Sequence, residues 1–343
     1  MRLISRIGPI DGSDGYVHRY DITTGVWTDI TPVPGEYSIR LAKGIAELFT
    51  DCYFGFGGLA VDLRKPGTIM VAALNSWSPD GQIWRSTNSG TTWSPLWAWG
   101  DHSNRDKYYS WDTSLAPWLS SFTQSQVGWM MEALVIDPFD SDHWLYGTGA
   151  SIWGGHDLTN WDTKHNITLK SLADGIEETA VLALISPPSG PILFSGVGDV
   201  GGFAHADLDK APSSAYANPT FGNTVSLDYA GNKPNIIVRP HYALAILTLI
   251  NVQVRIGNSD SDATTRKIAL SYDSGASWAQ YYGAALGVSG GAVAISAEAD
   301  TILWRDVETN TVKYSRSTSA FTASIGVPPG AAIASDKKVR SLH

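Results

Sequence analysis

The sequence predicts an all-β protein assembled from repeated groups of short antiparallel strands, and three observations predict it. Two octets, Ser86-Thr87-Asn88-Ser89-Gly90-Thr91-Thr92-Trp93 and Ser271-Tyr272-Asp273-Ser274-Gly275-Ala276-Ser277-Trp278, fit the Asp-box pattern Ser-x-Asp-x-Gly-x-Thr-Trp, with Asn88 at the Asp position of the first. In such a turn Ser and Asp or Asn bond backbone amides, Gly takes the left-handed position, and Trp packs beneath. Strand groups recur at intervals of roughly 40 to 50 residues, the spacing of β-propeller blades, and about five to six such groups can be traced. No segment carries a long 3.6-residue period with caps, so helix content is predicted to be very low.

Taken in order, Tyr16 to Asp21 and Val26 to Ile30 flank Ile22-Thr23-Thr24-Gly25 and read as two strands with period-2 alternation around a turn. Leu59-Ala60-Val61-Asp62, Gly67 to Ala73 and Gln82-Ile83-Trp84-Arg85 lead into the first Asp box. The unit recurs in outline as Leu134-Val135-Ile136-Asp137-Pro138 followed by His143 to Thr148, and again as Ala292 to Ile295 followed by Thr301-Ile302-Leu303-Trp304. Between them, Pro191 to Val197 reads as a buried strand that runs out into Gly198-Asp199-Val200-Gly201-Gly202-Phe203. An acid there faces a cavity or caps a turn. The two glycines after it accept positive φ and let another backbone or a ligand approach closely.

Composition bounds the function. The 343 residues suffice for a large core, and 14 Trp, 14 Tyr and 34 Gly with only 17% charged residues suit an all-β protein with aromatic-rich, sugar-binding surfaces. A net charge of −9 and the absence of any basic run argue against a nucleic-acid partner, which needs a cationic face to displace counterions. The single Cys52 excludes an intrachain disulfide framework, no Cys/His cluster has zinc-ligand spacing, and no cofactor is implied. The longest apolar run, Tyr242 to Ile250, is well short of the roughly 20 residues that span a bilayer, so no membrane partner is expected. Met1 to Pro9 lacks the sustained apolar core of a signal peptide.

Several of these segments together resemble fungal xyloglucanases and oligoxyloglucan reducing-end-specific enzymes of glycoside hydrolase family 74. They are Tyr53-Phe54-Gly55-Phe56-Gly57-Gly58, Leu74-Asn75-Ser76-Trp77, Ile136-Asp137-Pro138, Trp144 to Gly149, Gly154 to Asp162, Leu172 to Glu178, and the Asp199 turn; the resemblance runs from about residue 16 to 338. It implies parts of two seven-bladed propellers, both incomplete: the last blades of the first in residues 1–172 and the first blades of the second in 173–343. It also implies an extracellular enzyme that cuts the β-1,4-glucan backbone of xyloglucan with inversion, using one aspartate from each propeller. Asp199 falls on the aspartate that serves as the general acid.

Two departures bear on that expectation. No second Asp-Ile-Gly-Gly-like turn precedes Asp199, so the presumed general base is missing and the chain is expected to be an internal fragment, nearly inactive alone. Residues 37–50 and 240–253 interrupt the resemblance and, with 339–343, read as translated intron sequence from a faulty gene model or as lineage-specific loops.

An inverting pair needs a protonated carboxyl at the glycosidic oxygen and a second carboxylate roughly 6.5–9.5 Å away. The apolar neighbours Val197, Val200 and Phe203 are expected to desolvate Asp199. Trp77 is a candidate sugar platform, because an indole face stacks on a pyranose; Tyr108, Tyr109, Trp111 and Trp118 occupy a long polar segment between strand groups and either line the cleft or pack. Trp93 and Trp278 belong to the Asp boxes and are read as structural, while His156, next to Asp157, and His165 are read as shaping the cleft rather than as catalysts. Asn166-Ile167-Thr168 is a glycosylation sequon. A sialidase, whose propellers also carry Asp boxes, would need an arginine cluster that the sequence lacks. The alternative from another class is a non-catalytic propeller fragment that binds glucan or a protein partner.

Overall fold

A computed structural model describes residues 2–6, 15–32, 55–76, 80–99, 105–122, 124–176, 178–240, 266–286 and 290–338. Trp77, residues 37–50 and 241–253, and the terminal 339–343 lie outside the described residues. The chain forms two compact units, one of residues 1–115 and 125–177, the other of 116–124 and 178–343.

In the first unit, β1 (Arg2–Arg6), β2 (Tyr16–Asp21) and β3 (Val26–Asp29) form an antiparallel sheet in chain order. The β2–β3 turn closes where Asp21 Oδ1 accepts the Thr23 and Thr24 amides and Gly25 takes φ 71°. A second meander follows in β4 (Phe56–Val61), β5 (Ile69–Ala73), β6 (Ile83–Ser86) and β7 (Ser94–Pro95). Strand β5 is buried along its whole length, which explains its unbroken apolar sequence. The turn into it repeats the same device, with Asp62 Oδ1 accepting the Arg64 and Lys65 amides.

Strands β8 (Trp97–Trp99) and β9 (Arg105–Lys107) pair as a ribbon. After β10 (Tyr109–Asp112), residues 116–124 leave this unit for the other and carry the short helix α1 (Trp118–Phe122). The chain returns as β11 (Leu134–Ile136), β12 (His143–Gly147), β13 (Ile152–His156), helix α2 (Asn160–Lys164) and β14 (Ile167–Ser171). The resulting five-stranded sheet has the order β10-β14-β13-β12-β11, and β10 lies parallel to β14. That parallel pair departs from the expectation of antiparallel strand groups; β11, β12, β13 and α2 all lie in the chain between its two strands. Trp144 and Tyr146 stack at 5.2 Å in the core beneath the sheet. Fully buried Arg85 of β6 reaches Asp162 of α2 through Nε and Nη2 at 2.7 and 2.8 Å.

The second unit contains three antiparallel sheets in chain order. They are β15 (Val181–Ile185), β16 (Leu193–Val197) and β17 (Gly201–His205); β18 (Asp228–Ala230), β19 (Lys233–Pro240), β20 (Ile268–Ser271) and β21 (Ala279–Gln280); and β22 (Gly291–Ile295), β23 (Thr301–Asp306), β24 (Thr311–Arg316) and β25 (Thr322–Ala323). One core cluster, around Val238, Leu270, Ile295 and Trp304, joins the two four-stranded sheets, and another, around Phe194, Phe221, Ile237 and Trp278, joins β16 to the β18–β21 sheet. The fold is nearly all β, with two five-residue helices among the described residues, neither long nor apolar enough to cross a membrane.

The two Asp-box octets close their turns by one wiring scheme. Ser86 Oγ accepts the Asn88 and Gly90 amides, as Ser271 Oγ accepts those of Asp273 and Gly275. Asn88 Oδ1 accepts the Thr92 amide at 2.9 Å and Asp273 Oδ1 that of Ser277 at 2.9 Å. Gly90 and Gly275 take φ of 83° and 78°. Beneath them, Trp93 donates its indole N–H to the Ile30 carbonyl, and Trp278 is buried.

Candidate active site

The Asp199 turn is built from two strands that cannot stay apart. Strands β16 and β17 pair from Leu193↔His205 to Val197↔Gly201, so only Gly198, Asp199 and Val200 remain to reverse the chain. Val200 donates its amide to the Gly198 carbonyl at 2.8 Å across Asp199, whose φ is 64°. This is a γ-turn with positive φ at its centre, the rare and strained form. Gly202 repeats it, donating to the Val200 carbonyl across Gly201 at φ 78°. Glycine is obligatory at 201 and 202, because a Cβ would collide with the carbonyl oxygens of Phe221 and Ser195 respectively. At 199, the position of the same kind, the chain carries an aspartate.

The turn is held from outside by hydrogen bonds to its backbone. Gly198 donates to the Ala180 carbonyl at 2.9 Å, Asp199 to Asn223 Oδ1 at 3.1 Å, and Gly201 to the Gly222 carbonyl at 2.9 Å. The Asp199 carboxylate itself meets no hydrogen-bond or ion-pair partner among the described residues and is exposed. The expectation that Val197, Val200 and Phe203 desolvate it is therefore corrected within this unit. Val197 and Phe203 are buried by the strand pleat, which turns them into the unit, while the tip of the hairpin points Asp199 outward.

Of the aromatic candidates, Trp118 belongs to the same unit as Asp199. Half-buried on α1, it meets the Phe203 ring edge-on at 5.4 Å, and Phe203 lies four residues beyond Asp199. The others lie in the first unit. Half-buried Tyr108 stacks on His165 at 3.8 Å, and His165 Nε2 faces both Ser94 Oγ at 2.9 Å and the Pro95 carbonyl at 3.2 Å. Trp161 donates its indole N–H to the same Ser94 Oγ at 2.9 Å, so Ser94 and His165 sit in one packed hydrogen-bond cluster. Tyr109 is buried and has no open ring face for a ligand; burial pushes its phenol well up, and its hydroxyl points toward Asp80 at 3.5 Å. Trp111 stacks on Trp153 at 5.5 Å. Exposed His156 stacks on His143 at 4.0 Å, with Nδ1 3.9 Å from Asp140.

Three residues escaped the sequence reading. Asn223 reaches the Asp199 turn from 24 positions away. Arg239 is fully buried, with its guanidinium 4.3 Å from the Phe221 ring, 4.6 Å from Trp278 and 5.1 Å from Tyr216. Asp80 is buried beside Arg105 and accepts the Val127 and Gly128 amides; burial pushes its carboxyl up, and the Arg105 charge and those amides pull it back. Each is isolated in sequence from what it touches, and the local signal of Pro79-Asp80-Gly81 was only that of a turn. Among the described residues no group of three or more His, Cys, Asp or Glu could hold a metal ion.

No family model matches the chain. A xyloglucanase of Hypocrea jecorina (strain QM6a) is 46% identical over 98% of this chain, which covers 38% of that protein. A xyloglucanase of Paenibacillus sp is 40% identical over 96% of this chain and 30% of its own length. The crystal structure of the GH74 xyloglucanase from Xanthomonas campestris superposes on 95% of this chain with a TM-score of 0.73 at 28% identity, and 40% of that chain is matched. This chain belongs to glycoside hydrolase family 74. The family 74 sequence here thus spans about a third of the length of the curated relatives it matches.

Proposed function

We propose that this family 74 chain carries the acid half of an inverting xyloglucan-hydrolysing site, with Asp199 as the general acid. The observation that carries the reading is the Asp199 turn itself: a strained, positive-φ position where glycine would be easier holds an acid whose carboxylate is left open. Strain kept at a position where the side chain does no local bonding points to chemistry rather than to turn formation. The similarity to xyloglucanases supplies the substrate class, a β-1,4-glucan backbone carrying xylose branches.

In that role the Asp199 carboxyl gives its proton to the glycosidic oxygen as the bond to the anomeric carbon breaks. A second carboxylate activates water on the opposite face of the sugar. Bound polysaccharide supplies the desolvation that the hairpin does not, since a sugar ring laid over the tip excludes water from it. Half-exposed Trp118, edge-on to Phe203, serves as a stacking surface on the Asp199 side. The meanders β4–β7, β18–β21 and β22–β25 are taken as propeller blades, the first two with Asp-box corners, divided between two propellers near the boundary of the two units. The enzyme acts on extracellular polysaccharide. No second turn like that of Asp199 occurs among these residues to supply the general base, so this chain alone is expected to be nearly inactive.

The test is reducing-end release from xyloglucan by the chain extended with family 74 blades on both sides, compared with its Asp199→Asn variant. Loss of the acid should remove about 10²–10⁴-fold of rate while binding is largely kept. Equal rates would reduce Asp199 to a turn residue. Retained xyloglucan binding without hydrolysis in the extended parent would favour the glucan-binding alternative.

A further inference from the structure

The segment 216–224 runs as a strap along the Asp199 hairpin. Tyr216 donates its amide to the Gly202 carbonyl at 2.9 Å and its hydroxyl to the Phe203 carbonyl at 2.7 Å. The Gly222 carbonyl accepts the Gly201 amide, and Thr224 donates to the Val197 carbonyl at 3.3 Å. So tight is the fit that a Cβ on Gly196 or Gly201 would collide with the carbonyl oxygens of Thr224 or Phe221. From this strap one side chain enters the turn: Asn223 Oδ1 takes the Asp199 amide at 3.1 Å. Arg239 holds the strap from below, with Nη2 donating to the Pro219 carbonyl and the guanidinium lying against Tyr216, Phe221 and Trp278.

We propose that Asn223 is a positioning residue for Asp199, fixing the central peptide of the γ-turn and hence the direction of the carboxylate, and that Arg239 anchors the strap that carries it. The proposal rests on the reading of Asp199 as the general acid. The physical argument is one of degrees of freedom. At the tip of a three-residue reversal the carboxylate has no hydrogen bond among the described residues, so φ and ψ of residue 199 set the Cα–Cβ direction along which it leaves the turn. The Asp199 amide is the handle by which those angles are held. Asparagine suits the task because its carbonyl accepts an N–H without adding charge beside the acid.

The experiment is backbone amide exchange on the full 343-residue chain. Asn223→Ala removes the acceptor, Asn223→Ser shortens it out of reach, and Asn223→Asp keeps an acceptor oxygen at the same length. Exchange at the Asp199 amide should quicken about 10- to 100-fold in the alanine and serine variants and stay near the parent rate in the aspartate variant. The Gly201 and Thr224 amides, which bond backbone carbonyls, should not change. An Asp199 amide equally protected in parent, alanine and serine variants overturns the proposal; so does loss of protection at Gly201 and Thr224 alongside, which would make Asn223 a general support of the strap.

A kinetic readout separates this inference from the one beneath it. In the blade-extended protein Asn223→Ala should lower kcat about 10- to 100-fold with KM nearly unchanged, as misplacement of a catalytic group does. An unchanged kcat beside an inactive Asp199→Asn variant overturns the positioning role and leaves the acid standing. A fully active Asp199→Asn variant removes both.

Discussion

Replacing Asp199 by glycine separates what this residue does for the fold from what it does for chemistry. In the native turn an L-residue is held at φ 64°, which costs roughly 1–2 kcal/mol relative to right-handed or extended backbone. Glycine escapes that cost but gains freedom in the unfolded chain, worth about 0.5–1 kcal/mol against the native state. The carboxylate contributes no compensating bond among the described residues. The balance is a gain of about 0–1.5 kcal/mol, or a rise in Tm of up to about 6 °C for a unit of this size. Thermal melts of the full chain, parent against Asp199→Gly, give the number directly, and Asp199→Asn, which keeps the shape and tolerates the same φ, should melt within about 0.5 kcal/mol of the parent. A glycine variant that melts well below the parent would refute the reasoning: the carboxylate would then be serving the turn, and the case for its being kept for catalysis would fall.

Ser271→Ala should be among the costlier single-atom deletions in the second unit, at about 1–3 kcal/mol, because the fully buried Ser271 hydroxyl is the acceptor of the half-buried Gly275 amide. Urea unfolding would show this, with exposed Ser277→Ala expected to cost less, and the reverse order would mean that the corner is wired differently. The second unit should also lose stability as pH falls below the ordinary histidine range. Burial lowers the His205 pKa, so below about 6.5 the unfolded chain takes up a proton that the folded chain refuses, and the loss continues until the lowered native pKa is passed. His205→Asn should flatten that slope in melts taken between about pH 7.5 and 5. An unaltered slope would assign it to another group.

Much of the fold could be read locally because its strands announce themselves in pairs. Tyr16 to Asp21 with Val26 to Asp29, and Ile69 to Ala73 with Ile83 to Ser86, alternate or run apolar between turn residues whose chemistry is short-range. The Asp boxes were legible for the same reason, since the bonds that Ser86, Asn88, Ser271 and Asp273 accept to close the turns span four residues or fewer. The parallel partnership of Tyr109–Asp112 with Ile167–Ser171 was not, because alternation tells which face a side chain takes and nothing about the neighbour. Nothing in the long polar segment carrying Tyr108 to Trp118 shows that residues 116–124 belong with the second unit. At the site, the position of Asp199 at the end of a strand was legible and its exposure was not, since apolar neighbours in sequence turn away at a hairpin tip. Nothing local in Ile237-Val238-Arg239 marks Arg239 as buried, yet it is enclosed by rings contributed from residues 216, 221 and 278.

The two Asp-box corners, alike in backbone, run one hydrogen bond in opposite senses. Asn88 donates from Nδ2 to Thr92 Oγ1 at 2.8 Å, whereas Asp273 Oδ2 accepts from the Ser277 hydroxyl at 2.6 Å. The first corner therefore contains no proton that strong acid can add. In the second, the Ser277 hydroxyl and amide hold the Asp273 carboxyl below its ordinary range. Its contribution is in full force above the unfolded carboxylate pKa and fades as pH drops through the lowered native one. A single amide-for-acid exchange thus gives one protein two corners of the same shape, one indifferent to acid and one that strong acid can open.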